Sequence, residues 1–277
     1  MSPVIKKILP RAVLLLLPFF LYYICYMEYL VIERKFKTDA DMVYKALDKS
    51  KKKVTRKKII FGDSVGSQLF SPYDDKDSVY SMCATGPSSI IGVYVLIQNF
   101  IAANETNDKD FYYVINPHAF SCQLKTKYVY NHFVKPFYTW ENMKYFTQDV
   151  NDSIHAIPYW YAAQLPFIKA SDFQPTYNFT CDTIFSIIPP VSVDYLRKID
   201  ALVKEKHLNF KIVMPFINER FRNEDHAYFV NMINANGLGD IFTGYFENEK
   251  YLPETEFKPD GLHYANAAKI KTMSIGI

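Results

Sequence analysis

A short apolar run that ends in a Gly-Asp-Ser turn, within residues 57–66, sets the strongest limit on the fold of this chain. Its β-branched and aromatic residues follow one another without polar alternation, which is typical of a buried strand in a parallel sheet. Gly62 ends the run, and Gly66 allows a tight reversal of the backbone. The pattern therefore predicts that Ser64 lies at the carboxyl end of a parallel strand, where α/β proteins bind their ligands.

A second polar group of residues, within 258–264, stands near the C-terminus. Asp260 and His263 are three residues apart there, so one turn of chain allows the carboxylate to orient the imidazole. Together with Ser64 they supply the three groups of an activated serine nucleophile. We therefore predict that Ser64 is a nucleophile, that His263 is its general base and that Asp260 orients His263.

The order of these residues resembles that of the GDSL/SGNH hydrolases, whose sequence blocks carry Ser, Gly, Asn and Asp-x-x-His in turn. Ser64, Asp260 and His263 match the first and last blocks directly. Gly86 falls where the glycine of the second block belongs. Asn116 follows a predicted strand and matches the asparagine of the third block, although its neighbours depart from the usual Gly-x-Asn-Asp pattern.

The resemblance covers about residues 57–270 and implies an α/β fold, a flavodoxin-like three-layer α/β/α sandwich with a parallel sheet. It also implies an oxyanion hole formed by the backbone N–H groups of Ser64 and Gly86 and by the Asn116 side chain. His118, two residues beyond Asn116, is a candidate substrate contact, with a structural histidine as the alternative. No metal or diffusible cofactor is implied.

The remaining apolar patterns predict alternating strands and helices, which indicates a parallel sheet covered on both faces. An irregular, aromatic-rich segment, residues 118–190, interrupts this alternation. The predicted helices span 88–103, 191–207 and 224–236, with a last one from Ala265, and the predicted strands after the first span 111–115, 210–215 and 241–243.

Residues 12–32 are apolar except for Glu28 and are numerous enough to cross a bilayer as a helix. A cleavable signal peptide is the alternative, but bulky residues stand where its cut site needs small ones. Basic residues flank the segment on both sides, so charge leaves its orientation open. We predict an N-terminus in the cytoplasm (1–11), a transmembrane anchor (12–32), a basic stalk (33–56) that is either a solvated helix or an extended spacer, and a catalytic domain (57–277).

Charge and cysteine content narrow the classes of partner. The net charge of +3, without a basic stripe or a nucleic-acid motif, argues against nucleic acid as a ligand. The four cysteines form no C-x-x-C pair, which argues against a zinc site. The three cysteines outside the anchor could include one disulfide, and the sequence does not decide this.

A second Asp-x-x-His pair, Asp152 and His155, competes with the C-terminal one for the role of base and orienting acid. It lies in the aromatic-rich segment and follows no predicted strand, so nothing places it at the carboxyl edge of the sheet. We interpret it as the start of a surface helix with Asp152 near the N-cap.

These observations predict a membrane-anchored serine esterase or O-acyltransferase that acts through an acyl-enzyme. Likeness to the envelope proteins of teichoic-acid D-alanylation and polysaccharide O-acetylation implies an acyl donor and a cell-envelope polysaccharide or similar polymer as acceptor. It also implies an extracytoplasmic domain, periplasmic or at the cell surface, and a membrane-bound O-acyltransferase as a candidate partner besides the lipid bilayer. The alternative is a catalytically degenerate scaffold that binds glycan or a membrane acyltransferase.

Overall fold

The computed structural model describes residues 3–32, 40–74, 78–85, 89–121, 130–156, 188–222, 226–247, 249–273 and 277. In chain order the helices are α1 (Pro3–Ile32), α2 (Asp41–Ser50), α3 (Ser64–Leu69), α4 (Ser89–Ala103), α5 (Lys135–Phe137), α6 (Gln148–His155), α7 (Pro190–Glu205), α8 (His226–Ala235) and α9 (Ala267–Lys271). The strands are β1 (Lys58–Gly62), β2 (Val79–Cys83), β3 (Asp110–Val114), β4 (Asn209–Val213), β5 (Ile217–Asn218) and β6 (Tyr251–Leu252).

Four of the strands form a parallel sheet in the order β2-β1-β3-β4, within the part of the chain that the structure describes. The predicted α/β class with a parallel sheet is therefore confirmed. The register aligns Gly62 with Cys83 on one side and with Val114 on the other, so the carboxyl ends of the strands meet at one edge. β2 and β3 flank β1 on opposite sides, so the strand order reverses between β1 and β3, the position at which α/β folds bind their ligands.

Alternate residues of the strands pack into different apolar clusters, as the pleat requires. Ile59 and Phe61 of β1 join the main core, together with apolar residues of α2, α4 and α7. Ile60, between them, belongs to a smaller cluster with Cys83 and Val114. Both sets are buried, which explains why β1 shows no polar alternation in the sequence.

The structure corrects the predicted stalk at residues 33–56. Helix α2 within that range packs on the domain, and its buried residues Val43, Ala46 and Leu47 lie in the main core. Lysines and aspartates dilute this apolar face in the sequence, so the segment resembles a solvated stretch. Residues 33–39 lie outside the described part of the chain.

The sequence predicts a strand at residues 241–243 and does not predict β2, and the structure differs at both places. Residues 241–243 lie in consecutive turns, in which the Phe242 N–H donates to the Leu238 and Gly239 carbonyls. Ile241 and Phe242 are buried in the core, which accounts for the apolar pattern at these positions. The last strand, β6, pairs with β5 in a separate two-stranded parallel sheet.

The N-terminal helix agrees in type with the predicted anchor. Within α1, Ile5–Met27 is long and apolar enough to cross a membrane, and its candidate span is not buried against the rest of the protein. This agreement rests on the length and the composition of the helix.

The packing of α2 can be tested through Leu47, which is 9% exposed. We expect Leu47→Ala to lower the free energy of unfolding by about 2–5 kcal/mol, because it removes buried methyl groups and leaves a cavity. Lys45→Ala on the same helix is the control and should change stability by about 0.5 kcal/mol or less. Urea unfolding of the full chain in mild detergent measures both, and equal stabilities would restore the solvated stalk.

Candidate active site

The turn between β1 and α3 is held by the carboxylate of Asp63, which caps α3. Its Oδ1 accepts the backbone N–H groups of Val65 and Gly66, each at 2.9 Å. Its Oδ2 accepts the N–H of Asn116, just beyond β3, at 2.9 Å. One carboxylate thus caps α3 and ties the start of this helix to the end of the neighbouring strand.

Two glycines allow this turn to lie directly on the sheet. A Cβ atom on Gly62 would stand 2.7 Å from the Val114 carbonyl oxygen and 2.8 Å from the Cys83 sulfur. One on Gly66 would stand 3.0 Å from the same carbonyl. The spacing of the two glycines around the serine therefore reflects close backbone approach.

Ser64, the first residue of α3, meets His263 and Asp260 at the carboxyl edge of the sheet. The Ser64 Oγ lies 2.9 Å from His263 Nε2, and His263 Nδ1 lies 2.8 Å from Asp260 Oδ2. Both distances are those of hydrogen bonds. The structure therefore brings together the three residues that the sequence analysis grouped.

The two carboxylate oxygens of Asp260 have different hydrogen-bond partners. Oδ2 contacts the imidazole, while Oδ1 accepts the backbone N–H groups of Leu262 and His263 at 2.8 and 2.9 Å. Partial burial opposes ionisation, but these N–H groups and the imidazole outweigh it and hold the pKa of Asp260 below its usual value of 3.8. Asp260 therefore stays ionised around neutral pH and can orient the imidazole.

The site is open to solvent. The side chains of His263 and Asp260 are 33% and 46% exposed. Asp63 is buried behind them, and its burial raises its pKa against the three N–H groups that lower it. The two carboxylates thus differ in environment, with Asp63 structural and Asp260 in contact with the imidazole.

The loop that carries Asp260 and His263 is shaped by its own hydrogen bonds. The Lys258 N–H donates to the His263 carbonyl at 2.7 Å, and the Gly261 N–H donates to the Lys258 carbonyl at 2.8 Å. An isolated antiparallel bridge between Phe257 and Tyr264 closes the base of the loop. The loop follows β6 of the small sheet rather than a strand of the main sheet, contrary to the topology assumed from the sequence.

Arg220 supports this loop from outside it, and the sequence analysis did not identify it. Its Nη2 donates to the Asp260 carbonyl at 2.9 Å, and its Nη1 pairs with Glu254 Oε1 at 3.1 Å. The guanidinium lies against Gly261, where a Cβ atom would overlap with Nη2. Gly261 also has a positive φ of 71°, so both space and backbone conformation favour glycine.

The remaining predicted site residues are described to different extents. Asn116 is buried, and its backbone bond to Asp63 places it at the end of β3 next to the serine turn. Gly86 lies outside the described residues. His118 lies in the 3₁₀ turn Pro117–Ser121, but its side chain is outside the described part of the structure.

The competing pair has other partners. His155 Nε2 lies 3.1 Å from the Tyr138 hydroxyl at the end of α6. Asp152 accepts from Gln148 at 2.7 Å within the helix. The predicted N-cap was wrong, since Thr147 caps α6 by accepting the Val150 N–H.

Neither a metal cluster nor a reactive thiol occurs at this edge among the described residues. No group of three or more His, Cys, Asp or Glu side chains is arranged to hold a metal ion in that part of the chain. Cys83 is a free, buried cysteine beneath the serine turn, and burial raises the pKa of its thiol to about 12. Among the described residues at this edge, Ser64, His263 and Asp260 are joined by hydrogen bonds, whereas the Cys83 thiol is buried.

The support from Arg220 can be tested with a pair of glycines. Gly261→Ala and Gly237→Ala both place alanine at positive φ, but no atom lies within 4 Å of a Cβ on Gly237. We expect Gly261→Ala to lower the free energy of unfolding by about 1 kcal/mol more than Gly237→Ala does, because the Arg220 guanidinium must leave its hydrogen bonds. This excess should vanish in an Arg220→Ala background. Equal losses at both glycines in urea unfolding would contradict the contact.

Comparison with known proteins found no match to this chain. No family model matches the chain, no curated protein matches it significantly, and no solved structure matches it significantly. The function proposed below therefore rests on the sequence motifs and on the arrangement of the described residues.

Proposed function

We propose that this protein is an SGNH-type serine esterase or O-acyltransferase that works through an acyl-enzyme. The observation that carries the proposal is the continuous chain of hydrogen bonds from Ser64 through His263 to Asp260. A serine hydroxyl alone is a poor nucleophile, and a positioned base with its own orienting group is the arrangement that activates it.

Each member of the chain has a defined task in this proposal. An imidazole protonated at Nδ1 donates to Asp260, so its Nε2 is free to take the hydroxyl proton as Ser64 Oγ attacks an ester carbonyl. The protonated imidazole then gives that proton to the leaving alcohol, and an acyl group remains on Ser64. Water or a second hydroxyl, deprotonated by His263, then attacks the acyl carbonyl; the ester bond to Ser64 Oγ breaks, and the imidazole returns its proton to that oxygen.

Stabilisation of the tetrahedral oxyanion is assigned to donors around the serine turn. As the first residue of α3, Ser64 has a backbone N–H without an intrahelical acceptor. The Gly86 N–H and the Asn116 side chain complete the proposed set, following the family resemblance. One such donor contributes about 2.7–4 kcal/mol of transition-state stabilisation.

The finer fold assignment belongs to the same proposal. The observed order β2-β1-β3-β4 agrees with the first four strands of the flavodoxin-like order. Residues of α2, α4 and α7 pack in the main core, whereas residues of α3 and α9 pack together in a separate apolar cluster. These two groups of helices are the basis for proposing a three-layer α/β/α sandwich. In that fold the strand reversal beside β1 is the expected ligand crevice.

The proposed substrate is an acylated cell-envelope polysaccharide or a similar surface polymer. The exposure of His263 and Asp260 suits an acceptor too large to be enclosed. The apolar α1 would keep the domain at a bilayer, with an extracytoplasmic orientation and a membrane-bound O-acyltransferase as a candidate partner taken from the resemblance. Transfer and hydrolysis share the first half-reaction and differ in whether a sugar hydroxyl or water accepts the acyl group.

The proposal is tested by labelling with a fluorophosphonate and by hydrolysis of an aryl acetate. Ser64→Ala should abolish both, and His263→Ala should lose about as much hydrolysis, because the members of such a unit act together. His155→Ala is the matched control and should keep wild-type activity, since His155 contacts Tyr138 instead. A folded wild-type protein that does not label would favour the non-catalytic scaffold, and activity that depends on His155 would reverse the assignment of the base.

A further inference from the structure

The contact between Ser64 and His263 joins two parts of the chain that the main sheet does not hold together. Ser64 begins α3 directly after β1, whereas His263 lies in a loop that follows the separate two-stranded sheet. The hydrogen bonds within that loop fix its shape, but they do not determine where it lies along α3. Some other contact must set that position.

Apolar packing brings the loop against α3, while the Tyr264 hydroxyl donates to the Phe216 carbonyl at 3.0 Å and so ties the loop to the segment beyond β4 rather than to a point along α3. Tyr264 is 1% exposed and packs in a cluster with Val65 and Leu69 of α3. Burial of this kind stabilises the contact in proportion to area, but it is not directional. A small slide of the loop along the helix would therefore keep most of the burial and separate His263 from Ser64.

Gln68 supplies directional contacts at this point. Its Nε2 donates to the Tyr264 carbonyl at 3.2 Å, and its Oε1 accepts the Tyr264 N–H at 2.9 Å. The side-chain amide thus pairs with both backbone groups of a single residue, as a neighbouring strand would. Two bonds of opposite polarity fix the direction and the height of Tyr264 relative to α3.

The positions of Ser64 and Gln68 on α3 match those of His263 and Tyr264 in the loop. Gln68 is four residues after Ser64, so the two side chains lie on one face of α3, one turn apart. Tyr264 directly follows His263 in the loop. The Ser64–His263 contact and the Gln68–Tyr264 pair are therefore adjacent links between the same helix and the same loop.

We propose that Gln68 is a positioning residue that sets the register of His263 against Ser64. The inference rests on the proposed function, because register matters only if His263 takes the proton of Ser64. Gln68 itself does not touch the reacting atoms and acts through the backbone of Tyr264. A displacement of about 1 Å in a catalytic group can cost about 100-fold in rate, so loss of the pair should slow the reaction of Ser64.

The test compares Gln68→Met with Gln98→Met in the full chain in detergent. Methionine keeps the length of the side chain but removes both bonds to Tyr264. Gln98, on α4, donates to the Tyr94 hydroxyl at 2.8 Å, so its variant loses a side-chain hydrogen bond elsewhere. We expect the rate constant for fluorophosphonate labelling of Ser64 to fall about 10- to 100-fold in Gln68→Met and to stay at the wild-type value in Gln98→Met.

The final labelled fraction separates positioning from loss of fold. A misplaced base lowers the rate of labelling while all molecules still label, whereas an unfolded fraction lowers the end point. Gln68→Glu, which keeps the acceptor but turns a second oxygen towards the Tyr264 carbonyl, should also label slowly to completion. Wild-type rates in both Gln68 variants, or a lowered end point with an unchanged rate, would overturn the positioning role.

Hydrogen exchange at the Tyr264 amide tests the pair independently of catalysis. The amide should be protected in the wild type and should exchange faster in Gln68→Met, while its exchange in Gln98→Met stays unchanged. If the wild type does not label but the exchange result holds, the proposed function fails and the structural pair stands. If the exchange at Tyr264 is the same in all three proteins, the pair itself is contradicted.

Discussion

The buried carboxylate of Asp63 is the interaction on which the serine side of the site depends. It gathers three backbone N–H groups, two at the start of α3 and one beyond β3, into one set of hydrogen bonds. Burial opposes its charge, so the carboxylate is stable there only because these donors are already in place. The helix therefore cannot begin at another residue without taking both helix donors away from Oδ1 of this buried carboxylate. Ser64 is fixed at the edge of the sheet as a consequence.

The histidine side of the site is assembled differently. Its loop follows a two-stranded sheet, is closed by its own hydrogen bonds and is supported by Arg220 at the Asp260 carbonyl. It reaches α3 through the burial of Tyr264 and through the amide of Gln68. The proposed enzyme thus joins a nucleophile that is held at the main sheet to a base whose place is set by side chains. This division explains why residues that do not touch the reacting atoms should still control the rate.

Short-range patterns in the sequence predicted β1, the serine turn and the Asp260–His263 spacing, because each depends on neighbouring residues. The buried helix at 88–103 and the strands at 111–115 and 210–215 were predicted for the same reason, and the structure shows them with small changes in their ends. The packing of α2 was missed because its apolar face is narrow among charged residues. Gln68 and Arg220 could not have been found, since their partners lie 196 and 40 residues away and no local pattern marks such contacts. The strand predicted at 241–243 failed because burial alone does not distinguish a strand from a packed turn.

The central claim is that Ser64 carries an acyl group during the reaction. The most direct measurement is peptide mass spectrometry of the full chain after incubation with an aryl acetate and rapid quenching in acid, which preserves a serine ester. The account predicts an acetyl group on the peptide that contains Ser64, and its absence from the same peptide of His263→Ala. An acetyl group found only on other residues, or in equal amount without His263, would contradict the account.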